Sequence, residues 1–149
     1  MNTKKALTVA SFVITALTLA AVTVLFFYIG KIAETYLSLV DLLTPERLSA
    51  SILHGRIALI IAAFTLLTLI RLLYIVWKGH VFSVETKYII TSLSLCCFAE
   101  AVVFILLGTH FLFSYVVAFA ALMLGVLLLV LRCVTAEAIE IKTENDFTV

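Results

Sequence analysis

Charge is scarce in this chain of 149 residues: 13% are Asp, Glu, Lys or Arg, against ~25% in a typical soluble domain. What charge there is nearly cancels, with 10 basic residues facing 9 acidic ones. No basic excess points to direct nucleic-acid binding, and no acidic block points to a disordered segment. Cysteine is also rare. Cys96, Cys97 and Cys133 are too few and too clustered for a disulfide framework, and Cys96 and Cys97 sit inside an apolar run as small membrane-buried residues. Phosphate loops, nucleophile elbows and zinc motifs are missing, as is any Ser-His-Asp set that could share one surface. His54, His80 and His110 fall at three different membrane edges, each without a second ligand at a useful spacing. These absences leave no metal site, no cofactor site and no catalytic residue to nominate, so an enzyme is not expected.

What remains is apolar. Hydrophobic residues make up 64% of the chain, against roughly 45–50% in soluble domains. A water-soluble fold of this size could not hide that much apolar surface, so lipid must be part of its solvent. Four segments have the ~20 apolar residues needed to cross the hydrocarbon as a helix: residues 6–29, 57–77, 88–107 and 111–131. Inside lipid each must satisfy its own backbone hydrogen bonds, which favours helix. The first follows Lys4 and Lys5, as a signal peptide would. Its apolar stretch is too long and lacks a small-x-small cleavage site, so it is read as a retained span.

Basic residues set the expected orientation. Lys4, Lys5, Arg71, Lys78, Lys87, Arg132 and Lys142 lie on one side, seven in all, against Lys31, Arg47 and Arg56 on the other. Both termini are therefore expected in the cytoplasm. The expected fold is an all-α, antiparallel, integral-membrane four-helix bundle, one domain over 1–149 with a cytoplasmic extension at 132–149. The external connection at 30–56 carries a helix start at Thr44-Pro45-Glu46: an N-cap, a first-position proline and an acidic first turn. Before it, Ile32, Tyr36, Leu39 and Val40 recur at helical spacing and suggest a segment lying on the membrane surface.

Apolar burial cannot hold helices together in lipid, so small and hydroxyl residues must. Thr8, Ser11, Thr15 and Thr18 stripe the first span; Ala58, Ala62 and Thr65 the second. Ser92, Cys96 and Ala99 stripe the third; Ser114, Ala118, Ala121 and Gly125 the fourth. Glu100 lies about 18 Å into the third span, beyond easy reach of water. Intramembrane acids often mark ion or proton pathways. Thr15, Thr18 and Cys96 are the candidate neighbours that would solvate it, and the alternative is a neutral acid that only ties two helices together. Arg71 lies off the Ala58 face and snorkels to the headgroups, an ion pair with Glu100 not being favoured; Trp77 and Lys78 read as interface anchors.

Beyond the fourth span, Arg132–Lys142 keeps helical character. Val134, Ala138 and Ile141 form an apolar stripe beside an acidic face of Glu137, Glu140 and Glu144. Anionic lipid would repel that face; a basic protein would not. The chain closes on Glu144-Asn145-Asp146-Phe147-Thr148-Val149, and Gly79-His80-Val81-Phe82-Ser83-Val84-Glu85 joins the second and third spans.

These two motifs resemble a bacterial four-helix membrane family, domain of unknown function 2975. It ends in Glu-Asn-Asp-apolar-Thr-apolar and carries a Gly-x-x-Phe-Ser-x-Glu turn. Phe147 stands where the family usually has leucine, and Thr86 where it often has asparagine. The resemblance covers the four-span layout. It implies a multi-pass protein of the cytoplasmic membrane, often encoded beside a small helix-turn-helix transcription regulator, and no enzymatic activity. Phe82, Ser83, Glu85, Glu137, Glu140, Glu144, Asn145, Asp146 and Phe147 then become candidates for binding that regulator. Gly79 and Ser83 also have a local reading, as a left-handed helix end and an N-cap with Glu85 in the first turn. The competing expectation is transport or sensing of a small solute, ion or proton centred on Glu100, for which a homodimer is expected.

Overall fold

A backbone in lipid must bond to itself, and the apolar runs of this chain do so as helices. The computed structural model describes residues 3–79 and 83–147, with side chains at 6–79 and 83–144. Among them are four helices and no strand: α1 Thr3–Leu39, α2 Pro45–Trp77, α3 Val84–Leu107 and α4 Ser114–Phe147. Each is long and apolar enough to cross a membrane.

Three of the four overshoot the bilayer. α1 has 37 residues, α2 33 and α4 34, while α3 has 24. At 1.5 Å per residue the first three exceed the ~30 Å hydrocarbon core by about 20 Å or more, and α3 nearly matches it. The expected external connector is consequently almost absent. Thr44 caps α2, accepting from the Arg47 N–H at 3.3 Å, with Pro45 in the first turn. The helix that starts there runs unbroken to Trp77. The surface-lying segment expected around Ile32–Val40 is instead a continuation of α1 up to Leu39. Ala33 and Leu37 are buried in it, at 2% and 0% exposure, so that stretch packs against protein. Asp41, with φ +55°, turns the chain towards α2.

The helices pack in chain order. Phe12 of α1 meets Trp77 of α2 with ring centroids 5.9 Å apart, and Gly55 of α2 sits under Ile29. α2 meets α3 through Ile75, Ile89 and Leu93, with Leu69, Leu72 and Leu128 around them. α3 meets α4 where Ser94 Oγ donates to the Gly125 carbonyl at 2.8 Å. Among the described residues no Cα of α1 comes within 8 Å of α3 or α4, nor any of α2 of α4. At one end side chains of all four helices still meet: Ile29 and Ala33 of α1, Ser51 and Gly55 of α2, Leu107 of α3 and Ser114 of α4 line one volume.

The small-residue stripes meet different fates. On α4, Ser114 and Ala118 are buried and Gly125 takes the closest approach. On α1, Thr15 is buried but Thr18 is exposed. On α3 the stripe is displaced. Thr86, Ile90, Leu93, Ser94 and Ala101 are buried, whereas Ser92, Cys96 and Ala99 line an open groove against Ile60, Ile61 and Phe64. The physical reason is that α3 lies between two neighbours, so its packing face is set by both at once.

Candidate functional site

Four places carry polar chemistry: the middle of α3, the end of the molecule where α2 meets α3, the overhanging end of α4, and the α3–α4 turn. In the first, Glu100 is half-buried and both carboxyl oxygens are enclosed without a hydrogen-bond partner. Thr15 and Thr18 are not brought to it. Their hydroxyls donate to their own helix, to the Ser11 carbonyl at 2.7 Å and the Ile14 carbonyl at 2.8 Å. No Cα of α1 lies within 8 Å of one in α3. Cys96 stands one turn from Glu100 and is a half-buried free thiol.

In the second, Gly79 ends α2 with φ +79°, a conformation that suits glycine. Ser83 caps α3, its hydroxyl accepting from the Thr86 N–H at 3.3 Å. Glu85 is not idle in the first turn: Arg71 Nη2 donates to its Oε1 at 2.6 Å. Sequence reading missed this pair, because it depends on how α2 and α3 register across the turn. Both groups are largely exposed, 66% and 52%, so the pair joins the helix ends without desolvating either charge. Phe82 and His80 lie outside the described residues.

In the third, the register of α3 and α4 fixes where support ends. Ser94 pairs with Gly125, so the start of α3 at Val84 lies level with about Thr135, the last fully buried residue of α4. From there to Phe147 the helix continues for about another 18 Å with no α3 beside it. Glu137, Glu140 and Glu144 are exposed along this stretch, and so are Val134 and Ile141, at 57% and 60%. The side chains of Asn145, Asp146 and Phe147 lie outside those described.

A fourth cluster, at the opposite end, corrects the reading that the histidines sit at separate edges. His54 of α2 and His110 of the α3–α4 turn face each other with ring centroids 6.4 Å apart. Burial, then the nearby His54 and Arg47, hold His110 below the usual imidazole range. Tyr36 and Phe111 stack beside them at 4.6 Å and tie α1 to this turn. Among the described residues no three His, Cys, Asp or Glu side chains converge as a metal site would require.

The fold defines the class first: four apolar helices of spanning length make a multi-pass membrane protein. The chain belongs to the family described as Protein of unknown function (DUF2975), which matches residues 29–149. The match takes in the end of α1 and all of α2 to α4, so the first two-thirds of α1 lie outside it. Comparison with curated proteins and with solved structures yields no match.

Proposed function

We propose that this protein is a non-enzymatic membrane partner that holds a cytoplasmic helix-turn-helix regulator at the bacterial cytoplasmic membrane through the end of α4. In this reading the spans alternate in direction and both termini face the cytoplasm. Pairing of Phe12 with Trp77, Ile29 with Gly55 and Ser94 with Gly125 supports the alternation; the bias of Lys and Arg supports the side.

The observation that carries the proposal is the unsupported run of α4 beyond Thr135. An isolated helix gains little by continuing into water, and this one presents Glu137, Glu140 and Glu144 beside Val134 and Ile141. An acidic face flanking exposed apolar side chains suits a basic, amphipathic protein surface. Ser83 and Glu85 lie at the same end but are occupied by the cap and by Arg71, so the tail is the principal contact.

The test is affinity recovery from cross-linked native membranes. Full-length protein should recover the regulator; a chain ending at Lys142, and a Glu137→Lys/Glu140→Lys variant, should not. Equal recovery by all three would refute docking on the tail.

One observation favours a second reading, sensing or transport of a proton or small solute: Glu100 presents two enclosed carboxyl oxygens with no partner. Four helices make a small transporter, so this reading expects a homodimer. Glu100→Gln should then abolish a pH-dependent response in reconstituted vesicles while the protein still folds. An unchanged response would exclude titration at that position.

A further inference from the structure

A groove follows the seam between α2 and α3. Three successive volumes of about 440, 750 and 490 Å³ lie along it. Arg71 and Glu85 line both of the first two; Phe64 and Ser92 line both of the last two. These shared residues put the three volumes in succession along the helices as one trench, and its chemistry changes along its length.

At one end Arg71, Lys78 and Glu85 bring two cations and one anion together beside Tyr74 and Ser83. Lys78 Nζ lies over the Tyr74 ring, 4.6 Å from its centroid, an arrangement common at headgroup depth. Below Arg71 the lining becomes apolar, through Leu67 and Phe64 to Ile60 and Leu95. From Arg71 to Ile60 is about 16 Å along α2, and one leaflet of hydrocarbon is about 15 Å deep.

We propose that this trench is a binding site for an anionic phospholipid, with an acyl chain along Phe64, Ser92 and Leu95 and its phosphate at Arg71 and Lys78. The apolar part matches an acyl chain in depth. The edge matches an anionic headgroup in charge, since Glu85 offsets one cation and the second is left to attract phosphate. A second copy of the chain would need no such polar-to-apolar gradient over one leaflet. The site is independent of the tail and of Glu100, so it stands or falls separately from the proposed regulator contact.

The experiment is native mass spectrometry of the full-length protein released from mild detergent, with phosphatidylglycerol or phosphatidylethanolamine of identical chains. Wild type should retain phosphatidylglycerol in several-fold excess. Arg71→Gln and Lys78→Gln should each lower that retention about fivefold and lower phosphatidylethanolamine, whose phosphate is offset by its own ammonium, by less. Ser92→Trp, which fills the trench, should lose both lipids. Should that variant fail to fold, a chain-length series on wild type replaces it: retention should climb until the acyl chain spans one leaflet. Equal retention of the two headgroups, or indifference to both cation substitutions, would overturn the proposal. So would a Ser92→Trp variant that keeps its lipid but loses self-association, which would assign the trench to a second copy.

Discussion

At Gly125 the backbone of α4 lies so close to α3 that an added Cβ would meet the Phe98 ring at 3.0 Å. The same carbonyl accepts from Ser94. Gly125→Val should destabilise the detergent-solubilised protein by about 1–3 kcal/mol, the usual cost of overpacking, measured by unfolding in SDS. Ser94→Ala should cost about 0.6 kcal/mol, the average for interhelical hydrogen bonds in membranes. His110 carries a pH prediction. Its pKa is lowered in the folded state by burial, His54 and Arg47, so the unfolded chain binds the proton more readily. Stability should therefore be intact above the ordinary imidazole range near 6.5 and decline as pH falls through it. His110→Asn should flatten that decline in a thermal-unfolding series across pH; an equally steep decline in the variant would place the proton elsewhere. None of this pairing was legible beforehand, because His54 and His110 belong to non-consecutive segments whose register only the packed helices determine.

Among the elements, α2 depends on its cap. Thr44→Ala removes the acceptor for the Arg47 N–H and should cost about 1 kcal/mol. The Arg71–Glu85 pair is the opposite case: both partners are exposed, so Arg71→Gln should change stability by less than ~1 kcal/mol. A small stability effect with a large loss of lipid would separate the two roles of Arg71. The helices, the cap at Thr44, the helix end at Gly79 and the cap at Ser83 could all be read from sequence, since each rests on a local pattern. The faces could be read only where small residues mark them, as at Ser114, Ala118 and Gly125. Ile89 and Leu93 are buried while Leu95 is 63% exposed, and nothing in an isoleucine or leucine on a membrane helix tells lipid contact from helix contact. Thr18 misled for a related reason: its hydroxyl is satisfied within its own turn, so it needs no neighbour.

For the whole molecule, the sequence announces four spans but not their arrangement. α1, α2 and α4 all outrun α3, and α1 reaches the α3–α4 turn through Tyr36 and Phe111. The proposed tail contact requires the end with Lys78 and Ile141 to face the cytoplasm, and that orientation would put the lipid trench in the inner leaflet. The most direct test is impermeant-maleimide labelling of single cysteines in intact cells, with Cys96, Cys97 and Cys133 replaced by serine. Cysteines at Leu42 and Thr109 should label from outside, and cysteines at Lys78 and Ile141 only after permeabilisation. Labelling of Lys78 and Ile141 in intact cells, with Leu42 and Thr109 protected, would invert the molecule and contradict the account.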